Sequence, residues 1–181
     1  MSAKPVVLFG EERVRDRVSA LGREIGVAYA GREICVVGLI KSSLVFMADL
    51  IRAIPSDLTC HLLRVRQGSG TTPHELVYVS EIPYEGRDVL LLDDVLDTGI
   101  TLNFILDHIR DHSPRSLRTC VLIDKPGDRK TEVRPDWTAF TLEEGLDGFL
   151  VGYGLDHQER YRGLPYIGTI PRPAAVAASQ S

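Results

Sequence analysis

The sequence predicts an α/β protein built on a mainly parallel central sheet, and three observations carry that expectation. Ile34-Cys-Val-Val-Gly-Leu-Ile40, Val89 to Leu92 and Leu117 to Ile123 are continuous apolar runs, the pattern of strands covered on both faces. Between them lie segments of helical period: residues 10–30 with Val14, Val18, Leu21, Ile25 and Ala28, then Leu44 to Ile54 before Pro55, then Leu102 to Ile109. Strand and helix therefore alternate, which favours parallel pairing through helical crossovers.

The remaining elements follow in order. Leu58 to Val65 alternates as a strand does, Gln67-Gly-Ser-Gly-Thr-Thr-Pro73 reads as a mobile loop, and Glu75 to Ser80 reads as a returning strand. Beyond Pro135 come two short segments, Trp137 to Leu142 and Phe149 to Tyr153. A chain of 181 residues suits one domain, expected over 1–170, with 171–181 a disordered tail rich in Pro, Ala and Ser.

Bulk composition narrows the function classes. The chain is 44% apolar and 25% charged, with no apolar run of membrane-spanning length. A formal net charge of −4 disfavours nucleic acid as a partner, which needs a broad basic face. Cys35, Cys60 and Cys120 lie far apart without a Cys-x-x-Cys pair and read as buried strand thiols in a reducing compartment. Met1-Ser-Ala-Lys-Pro lacks the apolar core of a signal peptide, leaving the cytoplasm as the default location.

Chemistry concentrates at the end of the second apolar run. Ligands of parallel sheets bind beyond the C-terminal strand ends, and there stand Asp93 and Asp94. Adjacent carboxylates repel unless a cation, hydroxyl donors or water compensates them. Mg²⁺ and the vicinal hydroxyls of a sugar satisfy both. Asp97-Thr-Gly-Ile-Thr101 then turns into a helix, and its amides and two threonine hydroxyls suit a phosphate monoester. A diol and metal site beside a phosphate site matches phosphoribosyl pyrophosphate. Asp-Asp-x-x-Asp also occurs in isoprenyl diphosphate synthases, but there on long helices and in two copies; an Asp-x-Asp phosphatase motif fails on spacing. A plain solvated turn capped by Asp97 is the bland alternative.

Leu91-Leu-Asp-Asp-Val-Leu-Asp-Thr-Gly-Ile-Thr101 resembles the signature of type I phosphoribosyltransferases. Three further segments resemble the hypoxanthine-guanine branch: Gly38 to Leu50, Leu122-Ile-Asp-Lys-Pro126, and Phe149-Leu-Val-Gly-Tyr-Gly-Leu-Asp156 with Glu159-Arg-Tyr-Arg162. The resemblance implies the family's fold, with a small hood formed by the C-terminal segment and a flexible lid hairpin. It also implies transfer of a phosphoribosyl group to N9 of hypoxanthine or guanine, giving IMP or GMP. Asp97 then accepts the purine proton, and Asp93 and Asp94 hold ribose and Mg²⁺. Thr98, Gly99, Ile100 (by its amide) and Thr101 bind the 5′-phosphate. Lys125 donates to the purine O6, Phe149 stacks on the base, and the Leu150 backbone reads its edge. Asp156 ligates a metal beside the leaving pyrophosphate, which Lys41, Ser42 and Arg162 contact. A homodimer or homotetramer is implied as well.

Two departures from the family pattern stand out. Relatives carry glycine where Ser42 stands, in a loop expected to hold a cis peptide before that residue. They also carry a Ser-Tyr pair near Arg66-Gln67 in the lid, where this chain offers Arg66 or Thr71 as substitutes. Transfer to xanthine or another base, or a nucleotide-sensing regulator such as an RNA-binding attenuator, are the competing functions. His108 and His112 lack a third ligand for zinc, and His157 beside Asp156 reads as a pocket-rim residue.

Overall fold

The strands that read as apolar runs lie at the centre of a six-stranded sheet ordered β4-β3-β2-β5-β6-β7 in a computed structural model of the chain. It describes residues 4–67, 74–78, 81–143 and 148–172. The strands are β2 (Ile34–Leu39), β3 (Leu58–Gln67), β4 (His74–Tyr78), β5 (Asp88–Leu96), β6 (Ser116–Asp124) and β7 (Trp137–Thr141). All neighbours pair in parallel except β3 with β4, an antiparallel hairpin. The expected fold class is the observed one.

Alternation along the central strands sorts the core into two layers. Ile34, Val36, Leu90, Leu92, Cys120 and Leu122 face α1 (Glu11–Tyr29) and α2 (Leu44–Ala53). Cys35, Val37, Val89, Leu91 and Val121 face α3 (Ile100–Arg110) and the buried Ile82 and Tyr84. Both faces are covered, so the strands carry no polar alternation. Helix α1 opens on Glu11 and Glu12, whose charge suits the positive helix end, and closes at Ala30 in the left-handed conformation. No helix is long and apolar enough to cross a membrane among the described residues.

The hood is a three-stranded antiparallel sheet, β1-β9-β8, of Val6–Phe9, Ile167–Ile170 and Phe149–Val151. It draws on both ends of the chain, not on the C-terminal segment alone. Strands β1 and β9 are four residues each, too short for their period to be read from sequence. Strand β8 stops before Tyr153 because Gly152 and Tyr153 take positive φ and turn the chain. Strand β5 runs four residues past the expected Leu92, because β6 goes on pairing it through Leu96. Cys60 is exposed, unlike the buried Cys35 and Cys120, since it sits on β3 away from the covered centre. Lid residues 68–73, with Thr71, and tail residues 173–181 lie outside the described residues.

Candidate active site

Three adjacent strands deliver the candidate residues. The strand order reverses between β2 and β5, with β3 and β4 to one side and β6 and β7 to the other. A crevice opens at such a point beyond the carboxyl ends of the strands. The loops after β2, β5 and β6 all leave the sheet at that end, and those after β5 and β6 meet there.

Asp93 and Asp94 belong to β5 itself, not to a turn beyond it. Pairing with β2 reaches only Leu92, whereas pairing with β6 reaches Leu96, so the acidic stretch runs past its β2 neighbour. The Asp94 amide donates to Asp93 Oδ1 at 2.9 Å. Burial, and then the adjacent Asp94 carboxylate, push the Asp93 carboxyl well above the ordinary carboxylate range. Such a pair gains from any cation or hydroxyl donor brought to it.

The turn after β5 has the shape its sequence suggested. Gly99 takes φ +80° and caps α3, and a Cβ there would come within 2.3 Å of Thr131 Oγ1. Only glycine meets both demands. Thr98 Oγ1 accepts from the Ile100 amide at 3.4 Å, Ile100 itself turns its side chain to solvent, and Thr101 follows in the first turn of α3.

Register brings the third loop beside the second. Leu96 pairs with Asp124, so the next residues, Asp97 and Lys125, emerge together. Lys125 Nζ lies 3.8 Å from Asp97 Oδ2 and also pairs with Asp128, in a 3₁₀ turn over Pro126–Asp128 that the sequence reading missed. Hydrogen bonding to Lys125 holds the Asp128 carboxyl below its ordinary range.

In the loop after β2 the cis peptide bond joins Ile40 and Lys41, one bond earlier than the resemblance implied. Ser42 is not among the positive-φ residues, so serine fits where relatives carry glycine. Ser43, which sequence reasoning passed over, is fully buried and donates its hydroxyl to the Leu39 carbonyl. Lys41 Nζ bonds Glu159 Oε1 at 2.9 Å.

The segment after β8 packs onto that loop. A Cβ at Gly154, φ +96°, would stand 2.3 Å from the Ser42 carbonyl oxygen. Arg162 joins Asp156 Oδ1 at 2.8 Å and Glu159 Oε2 at 3.2 Å, and donates to the Gly154 carbonyl at 2.8 Å. Lys41, Glu159, Arg162 and Asp156 thus form one chain of ion pairs. Glu159, bonded to both Lys41 and Arg162, is its middle link. Phe149 stacks on His157 with centroids 4.2 Å apart, while Leu150 packs against the core. Asp93, Asp94 and Asp156 do not converge on one point: no group of three metal-ligating side chains forms among the described residues. A cavity of about 540 Å³ between α1, α2 and residues 162–165 shares only Arg162 with these candidates.

Comparison with known proteins fits this geometry. Residues 12–158 match the model of the phosphoribosyl transferase domain. The chain is 36% identical over 172 residues to the hypoxanthine-guanine phosphoribosyltransferase of Bacillus subtilis (strain 168), covering 93% of each chain. A crystal structure of such an enzyme from Bacillus anthracis superposes with TM-score 0.85 at 35% identity, over 94% of this chain and 99% of that one. The hypoxanthine phosphoribosyltransferase of Trypanosoma cruzi, solved with the product IMP, is 29% identical with TM-score 0.81, over 91% and 83%. The chain spans about a quarter (26%) of the bifunctional protein TilS/HprT of Listeria monocytogenes, at 37% identity over 91% of its own length. By sequence, fold and the layout of its strand-end loops, the chain belongs to the hypoxanthine-guanine phosphoribosyltransferase family.

Proposed function

We propose that the protein is a purine-salvage enzyme that transfers the 5-phosphoribosyl group of phosphoribosyl pyrophosphate to N9 of hypoxanthine or guanine, forming IMP or GMP. The observation that carries this reading is the approach of Lys125 Nζ to Asp97 Oδ2, 3.8 Å apart at the crevice. N7–H and O6 lie side by side on one edge of a 6-oxopurine, a donor next to an acceptor. An aspartate beside a lysine complements that edge. Adenine presents an amino group at position 6 and meets a second donor there, which selects against it.

As N9 bonds to C1′, the C1′–oxygen bond to pyrophosphate breaks and the N7 proton passes to Asp97, the general base. Asp93 and Asp94 bind the ribose hydroxyls, and Thr98, Gly99, Ile100 and Thr101 hold the 5′-phosphate through amides and hydroxyls at the start of α3. Phe149 stacks on the base and the Leu150 backbone reads its edge. Lys41, Ser42 and Arg162 receive the pyrophosphate. The adjacent carboxylates fit Mg²⁺, a hard cation that takes oxygen ligands, and Asp156 suits a second such site. Mg²⁺ held by these carboxylates would supply positive charge opposite the pyrophosphate. Cytoplasmic location and assembly as a homodimer or homotetramer complete the proposal.

The test is nucleotide formation from phosphoribosyl pyrophosphate and Mg²⁺ with hypoxanthine, guanine, xanthine and adenine offered separately. IMP and GMP are expected, with no AMP. Absence of product from every base overturns the reading.

A further inference from the structure

We infer that Arg129 is a positioning residue for the reaction proposed above, on which this inference rests. Its guanidinium fixes the backbone that carries Asp97 and the 5′-phosphate loop to the loop that carries Lys125.

The Arg129 side chain is 13% exposed and reaches three segments of chain. Nε donates to the Asp97 carbonyl at 2.9 Å and Nη2 to the Leu96 carbonyl at 3.4 Å. Nη2 also pairs with the Asp124 carboxylate at the end of β6, and Nη1 donates to the Val133 carbonyl ahead of β7. Backbone amides complete the seam: Lys125 N donates to Leu96 O at 2.9 Å and Lys130 N to Thr98 O at 2.8 Å. The carbonyls of residues 96, 97 and 98 are therefore all bonded from residues 125–130, and the Asp97 carbonyl receives its bond from the Arg129 side chain. Gly99 lies against the same segment, its missing Cβ 3.0 Å from Arg129 Cδ.

That bond matters because the Asp97 carboxylate is half exposed and its side-chain partners, Lys125 at 3.8 Å and Asp128, both lie on the facing loop. Its place therefore depends on the backbone seam that joins the two loops. A planar fork of five donors spans carbonyls on separate segments, whereas an ammonium keeps the charge opposite Asp124 but not the span. An Arg129 that served only as a buried ion pair would be replaced by lysine with little kinetic effect. One that sets the geometry would not.

The test compares the parent enzyme with Arg129→Lys and Arg129→Ala. For Arg129→Lys, kcat falls about a hundredfold, the cost of an ångström-scale misplacement of a reacting group. KM for the base moves less than about threefold, because Lys125 stays in place. Arg129→Ala opens a gap onto a cavity of about 390 Å³ lined by Asp124, Thr131 and Val133. Millimolar methylguanidinium restores its rate by about tenfold or more, and methylammonium does not. Amide hydrogen exchange is the readout independent of turnover: in Arg129→Lys, exchange over residues 97–101 accelerates while Val89–Leu92 stays protected. If the alanine variant does not fold, the lysine variant decides. A kcat within about twofold of the parent, or unchanged exchange over 97–101, overturns the inference. Failure of the parent to form any nucleotide is a separate result: it sinks the functional reading, while the exchange measurement still decides whether Arg129 fixes the loop.

Discussion

Asp97 is the residue on which the proposed chemistry turns, and its substitution separates proton transfer from folding. Asp97→Asn keeps shape and removes the base; kcat is expected to fall about 10²- to 10⁴-fold, the range for a general base. The melting temperature stays put, because the carboxylate is half exposed and the lysine 3.8 Å away keeps its pair with Asp128. Gly154 makes the opposite case. Alanine there collides with the Ser42 carbonyl at positive φ, so Gly154→Ala is expected to cost about 1–3 kcal/mol of stability. It also raises KM for phosphoribosyl pyrophosphate, read by denaturant unfolding and steady-state kinetics side by side. These residues differ in how visible they were. Asp93, Asp94, Asp97 and Gly99 were legible because one short segment holds them in strand-to-helix context. Arg129 and Glu159 were not, because their meaning lies in carbonyls and carboxylates that come near only when separate loops meet.

Elements add a coupling that no single residue suggests. Strand β4 is fastened to α3 by Tyr78, whose hydroxyl bonds His108 Nε2, and His112 Nδ1 donates to the His108 carbonyl at 2.9 Å. Burial, and then the nearby His112, hold the His108 imidazole below the ordinary histidine value; burial does the same to His61 on β3. The folded state therefore binds fewer protons than the unfolded state as pH falls through the ordinary histidine range. Stability is full above that range and declines below it until the depressed folded values are passed. Melting temperature should fall from pH 7 to pH 5, and His108→Gln, which keeps an acceptor for Tyr78, should flatten part of the decline. At the pyrophosphate end, Glu159 occupies Lys41. Glu159→Gln frees that ammonium and removes a negative charge, so KM for phosphoribosyl pyrophosphate should drop about two- to fivefold, a small change because water screens an exposed pair. An unchanged or raised KM would argue against Lys41 as a pyrophosphate contact. The helices and central strands were readable from their periods, but β5 was read four residues short, since its length is set by β6 and not by its own apolar run.

At the scale of the molecule, the site is assembled from three loops and a hood that share no sequence neighbourhood, and ligand is expected to tie them together. Mg²⁺ with phosphoribosyl pyrophosphate at about a hundred times its dissociation constant adds about 2.7 kcal/mol. That corresponds to a rise in melting temperature of about 5–11 °C for a chain of this size. EDTA should abolish most of the rise, and a rise unaffected by EDTA would count against the metal. The fold class was legible because alternating apolar runs and helices leave few topologies; the hood was not, because β1 and β9 are short and their nearest partners, Phe9 and Ile167, stand 158 positions apart. That pairing bears on biosynthesis. The central sheet has every strand it needs once β7 has been made, while β1 pairs only with β9, far later in the chain. A chain cut before Ile167 should thus keep its central sheet and lose its hood, and with the hood the strand that follows the loop bearing Asp156. Activity should appear once β9 is in place, not in proportion to the length made.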